Sequence, residues 1–262
     1  MIDNINQNPE QKASEHLWWS EDAGFEHTSL RYCMNPVRYG YFRGILRERA
    51  ILSGTVLDIG CGGGFLSEEF ARDGFHVSGV DPAISSVNTA REHSTKSNLS
   101  IDYRVACGEN LPFEDACFDL VACCDVLEHV DDVGMVVREV SRVLKPGGIF
   151  LFETVNRTLK SKIALIKVIQ DWNFAGISIE NGHEWEKFVK PEELVELLLS
   201  NGMRAEEMRG IGPKRNLFVL LFGLIRIRAG GLRGAKVAKV FGMRETDDLG
   251  TAYLGWALKQ TR

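Results

Sequence analysis

The sequence predicts an α/β fold, a mostly parallel sheet with helices on both faces, and three observations carry that prediction. Short β-branched runs alternate with helical stretches from Thr55 to Glu153, the order that parallel βαβ units require. The first run ends in a glycine-rich turn, Asp58-Ile59-Gly60-Cys61-Gly62-Gly63-Gly64, and the second ends in an acid, Asp81. Finally, 262 residues of which 44% are hydrophobic supply the core of one such domain with additions.

Taken in order, Met1 to Ser14 is polar and lacks the apolar centre of a leader peptide. His16 to Asn35 is aromatic and acidic, with Trp18-Trp19 its most unusual feature. Pro36 to Ala50 reads as an amphipathic helix with proline near its first turn. Residues 1–50 are thus expected to form a helical lid or cap on a core spanning 51–210. In that core Thr55–Ile59, His76–Val80, Ile101–Ala106, Phe118–Cys123 and Ile149–Glu153 are expected strands. The helices between them are Gly64–Asp73, Ser85–Ser97 and Val133–Leu144, with Lys145-Pro146-Gly147-Gly148 as a turn. Leu159–Asp171 and Pro191–Asn201 are also helical, the latter stopped by Gly202. Residues 211–246 read as a basic-apolar helical insertion before the last strand. Its apolar run Leu217–Ile225 is flanked by Lys214, Arg215, Arg226, Arg228, Arg233, Lys236 and Lys239. The last strand, Thr251–Lys259, lies in a closing segment 247–262.

The glycine turn and the spaced acid imply a nucleoside-containing ligand. Only backbone can approach a ligand closely at such a turn, and an acid at the next strand's carboxyl end is placed to accept hydrogen bonds from a ribose diol. A dinucleotide fingerprint would be G-x-G-x-x-G facing a pyrophosphate. Here Gly60 and Gly62 supply the first two glycines, but the third position is Phe65. Asp58, just before the turn, would repel a pyrophosphate and suits an ammonium group. The pattern D-x-G-C-G-x-G resembles the first motif of class I S-adenosylmethionine-dependent methyltransferases, which implies a Rossmann-like fold with a seven-stranded, mostly parallel sheet and a cofactor held by its amino-acid part at Asp58, Gly60 and Gly62, with Asp81 and Pro82 toward the ribose.

Composition excludes other classes. A net charge of -5 gives no general nucleic-acid footprint, and no apolar run approaches the ~20 residues of a spanning helix. The six cysteines lack paired C-x-x-C spacing, so reduced thiols and a cytoplasmic setting are expected. Cys123 and Cys124 read as small apolar packing in a strand.

Several further blocks occur in order: Trp18-Trp19, Asn35-Pro36-Val37-Arg38, Leu127-Glu128-His129-Val130, Leu144-Lys145-Pro146-Gly147-Gly148, Thr154-Val155-Asn156-Arg157 and Phe188-Val189-Lys190-Pro191-Glu192-Glu193-Leu194. Together they resemble the UbiG/Coq3 group, O-methyltransferases of ubiquinone biosynthesis that methylate polyprenyl catechols. The resemblance spans about Trp18 to Gly210 and resumes near the C-terminus. It implies a cofactor site of Arg38, Gly60, Asp81 and the backbone at Cys124. The loop after the third strand reads Ala106-Cys107-Gly108-Glu109, without the acid many relatives use there, so Cys107 and Gly108 are expected to meet the adenine through backbone groups.

O-methylation needs a phenolate, reached through a general base or through a divalent metal that lowers the hydroxyl's pKa. Asp125, Glu128 and His129 fall at i, i+3 and i+4, so a helical turn would gather them on one face. The set suits Mg²⁺ or another divalent cation, and the resemblance implies a metal at this locus, with Glu where this chain has Asp125. The alternatives are a metal-free base at His129 assisted by Glu128, or local packing. Asn156 and Arg157 are candidates for the substrate cavity, and His183 reads as an exposed loop histidine. The resemblance implies a phenolic, isoprenoid substrate. The basic-apolar segment 214–239 suits either peripheral contact at the inner face of a membrane or a cover over the substrate pocket or an oligomer contact. Other readings are methylation of carbon or nitrogen on another small molecule, or a cofactor-binding module without catalysis.

Overall fold

The computed structural model describes residues 18–19, 29–171, 184–232 and 235–261. The readings of Met1 to Ser14, His183 and Arg233 lie outside the described residues. The first long helix, α1 (Asn35–Glu48), carries Pro36 in its first turn, where a missing N–H costs nothing. Then follow β1 (Thr55–Ile59), α2 (Phe65–Arg72), β2 (His76–Asp81), α3 (Ile84–Lys96), β3 (Ile101–Val105) and β4 (Phe118–Cys124). Helix α4 (Val133–Val143) starts at Asp132, whose carboxylate accepts the Met135 N–H at 3.0 Å. Beyond it come β5 (Leu144–Val155), α5 (Pro191–Ser200), β6 (Met203–Pro213), α6 (Leu217–Arg228), α7 (Lys236–Phe241), β7 (Met243–Thr246) and β8 (Ala252–Lys259).

The sheet runs β3-β2-β1-β4-β5-β8-β6-β7. The pairings from β3 to β5 are parallel, and those from β5 through β8 and β6 to β7 are antiparallel. Strand order reverses between β1 and β4, so a crevice opens past their carboxyl ends, the place where such sheets bind ligands. Alternation along each strand feeds two cores. Leu57, Ile59, Val121, Cys123, Phe150 and Phe152 pack with α4 and α5, while Val56, Leu120, Ala122, Cys124 and Leu151 pack with α1 and α2. The adjacent cysteines therefore serve opposite faces as buried apolar groups.

The structure differs from the sequence reading in three places. The sheet has eight strands rather than seven, because β7 adds a short charged edge strand. Lys145–Gly148 is not a free turn; it lies within β5, where the register against β4 slips between Phe118 and Leu120 and Gly147 adopts φ +76°. The segment outside the sheet is also shorter than 211–246. Strand β6 continues to Pro213 and β7 begins at Met243. An irregularity between Ala205 and Glu207 breaks the period-two pattern of β6, which hid that strand from a reading of alternation.

Helix α1 is fixed to the sheet by Phe42, which is fully buried in the core shared with α2. Phe42→Ala is expected to lower unfolding stability by about 3–5 kcal/mol, read as a reduced midpoint at unchanged slope in urea titrations.

Candidate active site

Strand β1 delivers Asp58 and the glycine turn to the crevice. The N–H groups of Gly60 and Cys61 both bond the Val80 carbonyl, at 2.8 and 3.0 Å, locking the turn onto the end of β2. Gly60, Gly62 and Gly64 all have positive φ (+71°, +49° and +88°), where other residues are strained. Gly60 is also needed for space, because a Cβ there would meet Val126 at 2.1 Å. Asp81 braces the same turn: one oxygen accepts the Gly62 N–H and the other the Ala83 N–H, both at 2.9 Å. Burial pushes its pKa up, and those two N–H donors pull it back. Pro82 is exposed at the start of the following turn.

Asp58 is buried and accepts a 2.6 Å bond from the Ser67 hydroxyl. Burial raises its pKa to about 6, against the lowering effects of Ser67 and Arg38. Beyond β3, Cys107 is exposed while Gly108 is buried against Ile59, at the end of β1. Asp58, Gly60, Gly62 and Asp81 thus surround one turn, with Gly108 beside β1. This cradle suits a nucleoside ligand with an amino-acid tail. Trp18 lies on the turn, so that a Cβ at Gly62 or Gly63 would come within 2.8 or 2.7 Å of it. Trp19 donates from its indole N–H to the Gly63 carbonyl at 2.7 Å and stacks on His93 with centroids 3.3 Å apart. His93 in turn meets Glu68 at 2.6 Å.

Arg38, expected at the cofactor, is 6% exposed and forms ion pairs with both Asp125 and Glu153. Its Nε donates to Glu153 at 2.6 Å. Glu153 is drawn two ways, upward by burial and downward by Arg38. Reading the sequence alone missed Glu153 and Ser67. The signal for Glu153 was present, as a lone acid after Ile149-Phe150-Leu151-Phe152 in an otherwise apolar strand. Cys124 is buried beside Glu153 in the β4–β5 register.

The helical face expected to gather Asp125, Glu128 and His129 does not form. Asp125 sits at φ +54° and Leu127–His129 make a turn closed by the His129 N–H to the Val126 carbonyl at 2.8 Å. Asp125 faces Arg38, whereas Glu128 is buried and accepts a 2.7 Å bond from the Thr154 hydroxyl. Its other oxygen, Oε1, has no hydrogen-bond partner among the described residues. Burial, then the nearby Asp125 carboxylate, holds Glu128 well above the usual carboxylate range. His129 is exposed at the rim; desolvation lowers its pKa and Asp125 opposes the change. Because the side chain reaches water, that desolvation acts only in part. Among the described residues no group of three His, Cys, Asp or Glu side chains is arranged to hold a metal ion. Asn156 is buried and donates to the Leu249 carbonyl at 2.9 Å, and Arg157 pairs with Glu193.

Two outcomes are expected of this geometry. Gly60→Ala, strained at its φ and blocked by Val126, should abolish S-adenosylmethionine binding by calorimetry. Glu128 holds a proton in the folded state that the unfolded chain releases near an ordinary carboxylate pKa, so its contribution to stability falls as pH rises through neutrality. Between about pH 5 and pH 8, unfolding stability of Glu128→Gln should therefore fall less than that of the parent.

Residues 57–152 match the methyltransferase domain family. The chain is 37% identical over 214 residues to the ubiquinone biosynthesis O-methyltransferase of Hahella chejuensis, covering 80% of this chain and 86% of that one. It is 36% identical over 199 residues to the protein of that name from Actinobacillus pleuropneumoniae, covering 74% and 82%. In fold it is similar to an S-adenosylmethionine-dependent methyltransferase from Thermotoga maritima, at TM-score 0.58 and 19% identity over 90% of this chain and 95% of that one. A Rossmann-like sheet with this glycine turn, and identity at this level over most of both chains, bear out the resemblance read in the sequence: the chain is an S-adenosylmethionine-dependent methyltransferase and belongs to the ubiquinone biosynthesis O-methyltransferase family.

Proposed function

We propose that this enzyme transfers the methyl group of S-adenosylmethionine to a phenolic hydroxyl of a polyprenylated catechol, a precursor of a prenyl quinone. The observation that carries this reading is the closeness of two turns. Val126 fills the space beside Gly60, so the turn bearing His129 lies against the turn that holds the cofactor. Relatives bearing the ubiquinone name supply the acceptor class.

S-adenosylmethionine supplies an electrophilic methyl on a sulfonium, and a phenolate oxygen is the nucleophile it needs. Asp58, Gly60, Gly62 and Asp81 bind and orient the cofactor, with Pro82, Cys107, Gly108 and the backbone at Cys124 completing its surroundings. His129 takes the phenolic proton: its lowered pKa leaves it neutral near pH 7. Glu128 is kept as a neutral acid behind it, and its bond with Thr154 ties the turn to β5. Arg38 positions Asp125 and Glu153 rather than meeting the reacting atoms.

A divalent cation on Asp125, Glu128 and His129 fits this arrangement poorly. Glu128 has a buried open oxygen, but Asp125 is committed to Arg38 and the three groups do not converge.

The test is transfer of labelled methyl to a short-tailed polyprenyl catechol, run with Mg²⁺ and with EDTA. His129→Ala should lower kcat about 100-fold or more while cofactor affinity by calorimetry stays unchanged. The parent's kcat/KM should rise with pH and level off below the ordinary imidazole value. Loss of activity in EDTA, restored by Mg²⁺, would favour the metal over the histidine base. Tight cofactor binding with no turnover on any catechol would remove the acceptor assignment.

A further inference from the structure

Trp18 and Trp19 have no role in the proton transfer assigned to His129, yet both indoles lie on the glycine turn. Their footing is the buried ring of Phe65, the residue that stands where a dinucleotide fingerprint has its third glycine. Both indoles meet that ring edge-on, with centroids 5.6 Å away for Trp18 and 4.6 Å for Trp19. Trp19 is also held from two further segments. His93 of α3 stacks on it, and the Arg31 guanidinium lies 4.8 Å over its ring and donates to its carbonyl at 2.8 Å. The imidazole is itself fixed. Its Nδ1 donates to the carboxylate of Glu68, which is fully buried on α2 and paired with Arg72.

The turn needs such a hold. Four of its five residues, Gly60 to Gly64, are glycine, and glycine has the most backbone freedom to lose. Within the turn the Gly64 N–H bonds the Cys61 carbonyl at 2.8 Å. Asp81 takes the Gly62 N–H at 2.9 Å, and the Trp19 indole N–H takes the Gly63 carbonyl at 2.7 Å. The Gly62–Gly63 stretch is therefore held at one end by the acid expected at the ribose, and at the other by an indole 44 residues upstream.

Gly63 carries a second mark of this contact. Unlike Gly60, Gly62 and Gly64, it does not have a positive φ, so its backbone would accept another residue. What forbids one is Trp18: a Cβ at Gly63 would come within 2.7 Å of the Trp18 Cβ and Cγ. The glycine at this position is required by the tryptophan rather than by the turn.

We propose that Trp18, Trp19 and His93 are positioning residues for the cofactor. They hold the Gly62–Gly63 peptide groups, and through Gly62 the Asp81 carboxylate, in the binding geometry before S-adenosylmethionine arrives. Ordering already present in the free protein does not weaken binding. The clasp acts on cofactor affinity and leaves the methyl-transfer step alone, because it is anchored on α2 and α3 while His129 follows β4. It rests on the glycine turn as the cradle of the cofactor and is independent of the acceptor.

The experiment is calorimetry of S-adenosylmethionine with the full chain, alongside kcat and KM for the cofactor on a short-tailed polyprenyl catechol. Trp19→Ala loses the hydrogen bond and the stack, and should raise Kd about tenfold or more. KM for the cofactor should rise in step while kcat stays at the parent value. Trp19→Phe keeps a ring on His93 and Phe65 without the N–H, and should recover part of that loss. Gly63→Ala should weaken binding severalfold in the parent and add little in a Trp18→Ala background, where the space it needs is open. Parent-like Kd in Trp19→Ala would overturn the proposal. So would Gly63→Ala costing as much without Trp18 as with it, or a Trp19→Ala defect that falls on kcat, since the two indoles would then only pack the N-terminal segment. Gly60→Ala separates the clasp from the cradle. If it abolishes binding while Trp19→Ala binds as the parent does, the cradle stands and the clasp falls; if Gly60→Ala binds as the parent does, both fall.

Discussion

One buried guanidinium organises this site. Arg38, on the first long helix, holds Glu153 at the end of β5 and Asp125 just past β4. Removing three charged groups from water is costly, and the mutual attraction repays that cost only when geometry is good. Here it also determines a backbone conformation. Asp125 stands at φ +54°, a region that costs a non-glycine residue roughly 1–2 kcal/mol, and such strain persists where surrounding contacts over-determine it. With the chain reversed at Asp125, Val126 comes to lie beside Gly60 and His129 reaches the rim. The placement of the turn after Asp125 against the glycine turn thus depends on an arginine of α1.

The same triad explains the protonation pattern around it. Three carboxylates, Asp125, Glu128 and Glu153, lie close together with a single buried cation. Asp125 and Glu153 take that cation, and Glu128 is left with a hydroxyl donor and an open oxygen. Keeping a proton is the way such a group avoids a second uncompensated charge. The division of roles comes from which carboxylate the arginine reaches.

Much of this was legible in the residues, for identifiable reasons. The glycine turn and Asp81 are local: their roles depend on backbone conformation within one βαβ unit, and the structure places them together. Strands β1, β4 and β5 were readable because burial on both faces gives nearly continuous apolar runs. What was not legible depends on distant partners. Asp125, Glu128 and His129 have helical spacing, yet Arg38, 87 residues upstream of Asp125, pulls the first of them out of that pattern. Strand β6 was hidden by its own irregularity, and β7 is too short and too charged to announce itself. Glu153 was visible as an anomaly, but its meaning required knowing that α1 packs over it.

The position of the insertion follows from the antiparallel end of the sheet. Two successive antiparallel pairings, β5 with β8 and β8 with β6, return β6 to the direction of β5. The β6–β7 connection therefore leaves from the edge of the sheet where β1 and β4 end.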